Sequence, residues 1–183
     1  MRWLPVALIA GAVFVLPASA ASIDPRLLGL HQIDVPGRYL FDRDDSFALS
    51  AAQLADTNAA GRRLAARSGF VNGYFRRYLN SDPPRWRYIN SGAFVFRRAD
   101  GAKLYLASID KSLREPATVR RGRVDLGDGG SSYVSRSLKE GTWVTWRSGR
   151  VVGVVGCQEM TGHRTLALAL ARKQQRRIAT ARG

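Results

Sequence analysis

The chain has 183 residues, 45% of them hydrophobic, and carries 29 Lys plus Arg against 14 Asp plus Glu, a formal charge of +15. That apolar share supports an ordinary core in one domain. A single cysteine, Cys157, and two histidines, His31 and His163, exclude an intrachain disulfide and supply no ligand set for a structural zinc.

Residues 1–20 read as a secretory signal peptide. Arg2 is the positive start, Trp3 to Leu16 is apolar and uncharged, and Ala18-Ser19-Ala20 is a small-x-small cleavage site. Pro17 breaks the run short of the roughly 20 apolar residues that a membrane span needs. The mature chain then begins at Ala21, is secreted or periplasmic, and keeps no transmembrane anchor. The style of the leader is bacterial.

Residues 21–45 form an extended N-terminal segment punctuated by Pro25, Pro36 and Gly37, with Tyr39-Leu40-Phe41 able to dock on a core. Asp42 to Asp45 is acidic but lacks the glycine and distal glutamate of a calcium loop. A single α+β domain is expected over 46–183. Phe47 to Ser68 is Ala-rich and predicts a helix, firmest from Thr57, capped by Asp56 or Thr57 and ended by Gly69. Gly69 to Leu79 and Trp86 to Arg97 predict strands, separated by Asp82-Pro83-Pro84. In the second, Phe94 and Phe96 share one face while Ile89, Ala93 and Val95 share the other, as in a strand covered on both sides.

Asp100 to Glu115 is helical: Ala102, Tyr105, Leu106, Ile109 and Leu113 make an apolar stripe that Pro116 ends. Lys103, Lys111 and Arg114 fall off it, toward solvent. Gly127-Asp128-Gly129-Gly130 is a turn without the lysine of a phosphate loop, and Ser132 to Arg136 a short strand. Thr161 to Ala179 closes the chain as a helix with a stripe of Leu166, Ala167, Leu170, Ala171 and Ile178. The expected fold class is α+β: a mostly antiparallel sheet of about five strands with helices packed on it.

Between these last elements lies a hairpin. With Ser148-Gly149 as its two-residue loop, Arg147 faces Arg150 and Trp146 faces Val151. Alternation then places Cys157 on the apolar face of Val144, Trp146, Val151 and Val155, as a small buried hydrophobe. The sharper alternative is an enzyme in which Cys157 is an activated thiolate and His163 its base. No third group is placed to orient His163, so no catalytic assignment is made. Arg147 and Arg150 at the tip either extend into water or share an anion.

The charge has two readings. Lys103, Lys111, Lys139 and Lys173 are the only lysines, so the arginine excess matches a GC-rich genome. Arginine is also a strong binder of phosphate and carboxylate. Tyr74 to Arg98 interleaves Arg76, Arg77, Arg85 and Arg87 with aromatics. That is the composition of a single-strand nucleic-acid platform, although core aromatics with arginines snorkelling over the edge give the same pattern. The ligand candidates are Arg76, Arg77, Arg85, Arg87, Arg147 and Arg150. No cofactor or metal is expected.

The stretches GFVNGYFRRY, INSGAFVFRRADGA, VDLGDGG and WVTWRSGRVVGVV, with the final Leu/Ala/Arg helix, resemble uncharacterised bacterial exported α+β domains, PsbP-like or sensor-type. The resemblance spans Asn58 to Ala179 and its motifs mark turns and strands, not chemistry. It implies a noncatalytic binding, sensing or accessory domain of the envelope. The expected partner is an anionic envelope component or a protein. An anion or nucleic-acid binder using the Arg-aromatic block is the alternative, with nucleic acid the less favoured ligand.

Overall fold

A computed structural model describes residues 23–56, 58–80, 87–114, 119–135, 141–158 and 163–181. The expected leader lies outside these residues, as do Thr57, the Asp82-Pro83-Pro84 stop, Arg85, Trp86, Pro116 and Thr161.

Seven strands form one sheet: β1 (Leu40–Ser50), β2 (Phe70–Asn80), β3 (Arg87–Phe96), β4 (Val119–Val124), β5 (Gly130–Ser135), β6 (Gly141–Ser148) and β7 (Val151–Gln158). Their spatial order is β1-β2-β3-β7-β6-β5-β4, and every neighbouring pair is antiparallel. The helices are α1 (Pro25–Leu28), α2 (Ala51–Asp56), α3 (Ala59–Ser68), α4 (Ala99–Arg114) and α5 (His163–Thr180), with a 3₁₀ turn at Gln32–Asp34.

The expectation of about five strands is therefore overturned; the sheet has seven. Both extra strands are edges. β1 occupies sequence read as extended and then helical, so the expected boundary between residues 45 and 46 falls inside a strand. A bulge between Asp42 and Phe47 interrupts its pairing with β2, and most of its residues are exposed. β4 reads VRRGRV. Edge strands commonly carry charges and bulges that discourage further pairing, and these erase the apolar alternation by which a strand is recognised.

The central strands are covered on both sides. On one face Ile89, Ala93, Val95, Val144, Trp146, Val151, Val155 and Cys157 pack with Leu28, Leu30 and Tyr39 of the N-terminal segment and with Ala167, Leu170, Ala171 and Ile178 of α5. On the other face Phe70, Phe94, Phe96, Val152 and Val154 pack with Leu54, Ala102 and Tyr105. Tyr105 sits in a cluster of phenylalanine rings, and burial pushes its phenol up to about 12.

Local signals explain the helix ends. The Asn58 carboxamide oxygen accepts from the Gly61 amide at 2.8 Å and caps α3. Gly69 adopts φ +60° and closes the same helix. Gln174, fully buried in the α5 stripe, accepts from the Ser91 hydroxyl at 3.0 Å and donates to the Gly92 carbonyl at 2.8 Å. Ser91 in turn accepts from the Leu30 amide at 2.9 Å. One polar knot thus ties the N-terminal segment, β3 and α5 together, with its hydrogen bonds satisfied. Among the described residues no helix is long and apolar enough to cross a membrane.

Candidate functional site

The β6–β7 turn sits one residue later than expected. Ser148 pairs with Val151, so Gly149-Arg150 is the loop, and Gly149 takes φ +55° at its first position. A II′ hairpin turn requires glycine there. The shift leaves the faces unchanged and moves each cross-strand partner by two. Arg147 now faces Val152, Trp146 faces Gly153 and Thr142 faces Cys157.

Arg147 and Arg150 therefore do not oppose one another. Arg147 Nη1 pairs with Asp128 at 2.9 Å, and the Arg150 carbonyl accepts from the Phe96 amide at 2.9 Å. Cys157 is buried at 2% exposure between Ile89 and Thr142. His163 does come near, but Thr142 Oγ1 takes its Nδ1 at 2.7 Å. Thr142 is also the cross-strand partner of Cys157, and the pair carries no catalytic assignment.

The Arg-aromatic block divides between the two faces of β2. Arg76 lies on the face of Tyr74 and Tyr78, where its Nη1 donates to the Leu30 carbonyl at 2.6 Å. Arg77 lies on the opposite face, where its Nε donates to Asn90 Oδ1 at 3.3 Å and its Nη1 pairs with Asp45. Arg87 begins β3, opposite Asn80, and Arg85 is outside the described residues. Phe70, Phe94 and Phe96 are core.

The cations converge elsewhere. A cleft of about 420 Å³ opens between α4 and the β4–β5–β6 end of the sheet, and Lys103, Arg121, Arg123 and Arg147 line it with Asp110 and Asp128. Gly129, Gly130 and Ser131 are also in its lining. β4 alternation puts Arg121 and Arg123 on the face that α4 covers, opposite Tyr133 and Ser131 of β5. Lys103 projects from α4 beside its apolar stripe.

Both carboxylates are already engaged. Asp110 accepts from Arg121 Nη2 at 2.8 Å and from the Tyr133 hydroxyl. Asp128 accepts from the Gly149 amide at 2.7 Å, besides its pair with Arg147. Arg121 is held further by the buried Ser131 hydroxyl, at 3.2 Å from its Nε. Lys103 and Arg123 are exposed and have no ion pair among the described residues. Four cations against two carboxylates leave a local charge of +2.

Such a cleft attracts an anionic group, with two arginines pre-set and two cations free to close on it. Of the expected ligand residues it contains Arg147 alone. Lys103 was missed because it was read only as a solvated position beside the α4 stripe, and Arg121 and Arg123 because VRRGRV was not read as a strand. Read as one, it places Arg121 and Arg123 on a common face. Among the described residues no group of three or more His, Cys, Asp or Glu is placed to hold a metal ion.

No family model matches the chain, and no curated protein matches it. Among solved structures, the crystal structure of the extracellular domain of PknH from Mycobacterium tuberculosis is similar to it over 84% of this chain and 97% of that one, at 13% identity and a TM-score of 0.49. No residue or role is carried over from it.

Proposed function

We propose that the protein is an exported binding, sensing or accessory domain of a bacterial envelope that takes an anionic partner in the α4/β4–β6 cleft. The observation that carries the reading is the convergence of Lys103, Arg121, Arg123 and Arg147 on one cleft, with the overall charge of +15 drawing anions toward it. The leader sequence supports export. A stacking platform on Tyr74 to Arg98 has less support, because its arginines are split between two faces of β2 and several of its aromatics are core.

Heparin serves as a model polyanion for the test. Calorimetric titration at two salt concentrations should show binding that weakens steeply with salt. Lys103→Ala with Arg123→Ala should weaken it roughly tenfold or more, since hydrogen bonds to charged groups are worth about 1.5–3 kcal/mol each. Neither residue holds another in place, so the fold should be unaffected. Binding of undiminished strength in the double variant would place the polyanion elsewhere on the surface and sink the cleft reading.

A further inference from the structure

A second cleft, of about 350 Å³, lies on the opposite face of the sheet and is lined by His31, Gln32, Phe41, Tyr74, Arg76 and Tyr78. Tyr74, Arg76 and Tyr78 alternate along β2, and Phe41 of β1 pairs with Tyr78, so their side chains share one face. The 3₁₀ turn brings His31 and Gln32 over this row. Gln32 is fixed at both ends of its amide: Nε2 donates to the Tyr39 carbonyl at 2.6 Å and Oε1 accepts from the Phe41 amide at 3.0 Å.

Two features of this cleft point to a ligand. Arg76 is held by the Leu30 carbonyl at 2.6 Å and lies over the Tyr74 ring, 5.2 Å from its centroid. It has no ion pair among the described residues, so a half-buried guanidinium faces the cleft without a counter-charge. His31 Nε2 is buried and has no hydrogen-bond partner among the described residues. Burial and the charges of Arg76 and Arg177 keep the ring neutral at pH 7, and the neutral tautomer protonated at Nδ1 presents Nε2 as an acceptor. An unmet buried acceptor of this kind is uncommon in a finished structure.

We propose that this cleft binds a small ring acid: a single six-membered ring carrying a carboxylate and at least one hydroxyl. The ring lies against Phe41, Tyr74 and Tyr78. The carboxylate takes the free N–H groups of Arg76, and the hydroxyl donates to His31 Nε2. The volume admits one ring, as small-molecule sites of this size do. The site is separate from the basic cleft and does not rest on the polyanion reading.

Two sources share this chemistry, a hydroxylated aromatic acid and a sugar acid, and the test separates them. 3-Hydroxybenzoate and glucuronate are each titrated into the purified protein by calorimetry, with benzoate, 3-hydroxybenzyl alcohol and glucose as controls that lack one group. One of the two acids should bind at about millimolar strength or better, and its controls roughly tenfold more weakly or worse. The acid that binds identifies the source. Arg76→Gln should weaken binding roughly tenfold to a hundredfold. Because Arg76 also holds Leu30, Phe41→Ala provides a second variant at an exposed position, expected to weaken binding with thermal unfolding unchanged. His31→Phe should erase the preference for the hydroxylated acid over its plain counterpart. Absence of binding by both acids up to about 10 mM, or binding indifferent to Arg76→Gln and Phe41→Ala, overturns the proposal.

Discussion

Trp146 of β6 lies directly across from Gly153 of β7, and its indole stands 2.3 Å from where a β-carbon on residue 153 would be. The tryptophan is fully buried and its Nε1 donates to Gln175 Oε1 at 2.6 Å, so it cannot yield. Gly153→Ala should therefore destabilise the protein by about 1–3 kcal/mol, the usual cost of overpacking. Gly156 has the same relation to Trp143 on the other face, at 2.7 Å. Trp143 is only half-buried, so Gly156→Ala should cost less. Urea denaturation of the two variants gives the ranking, and the reverse order would show that the β6–β7 ladder adjusts.

Gln174→Leu keeps the volume of the α5 stripe and removes its polar partner. The Gly92 carbonyl and the Ser91 hydroxyl proton then lose their bonds in a dry core. An unmet buried group costs about 1–3 kcal/mol. The expected result is a clear loss of stability despite greater hydrophobicity. A more stable variant would mean that water reaches the knot.

Acid should loosen the N-terminal segment in two stages. Desolvation, with the charges of Arg76 on β2 and Arg177 on α5, lowers the His31 pKa below 6.5 against the opposing effects of the Leu27 carbonyl and Asp34. Above pH 6.5 both folded and unfolded rings are neutral and the contribution is complete. Below it the unfolded chain takes up a proton that the folded ring refuses, so stability falls until the lower folded pKa is reached. For Asp34, desolvation raises the pKa but is outweighed by the His31 amide and by the hydrogen bond and charge of Arg177, with Lys173 adding to them, so its carboxyl titrates below 3.8. Its contribution is present above 3.8 and is lost as pH falls through the folded pKa. Urea midpoints at pH 7.5 and 5.5 should differ in favour of pH 7.5, and His31→Gln should narrow that difference. An unchanged difference would remove His31 from this role.

Cys157 should react with a thiol reagent at neutral pH only as fast as the sheet opens, because its side chain is packed in the core shared by α5 and the N-terminal segment. Mild urea should speed the labelling. Cys157→Ala should lower stability modestly and leave heparin binding unchanged. Rapid labelling of the native protein would reopen the reactive-thiol reading.

Helices and faces were legible in the residues. Ala102, Tyr105, Leu106 and Ile109 pack as their spacing predicts, Gly69 ends its helix, and Cys157 sits on the apolar side of its hairpin. These follow from local rules: an apolar stripe at helical period, a left-handed cap, and alternation that survives a shift of partner by two. The hairpin turn was misplaced because Ser148-Gly149 and Gly149-Arg150 are both two-residue loops, and the pairing of Ser148 with Val151 settles which one forms. Gln174 was absent from the expected stripe because an amide carries no apolar signal, although its position is core.

By itself, the sequence determined the charge, the two-sided central strands and the absence of any intrachain disulfide. The edge strands were decided in three dimensions, because their pairing comes from a neighbour's open ladder rather than from their own apolar pattern. The clefts were decided there too. Lys103, Arg121, Arg123 and Arg147 come from three elements, and only antiparallel order with α4 across it brings them together. His31 meets Arg76 for the same reason: the N-terminal segment crosses the sheet to bury Leu28, Leu30 and Tyr39, and carries the ring with it.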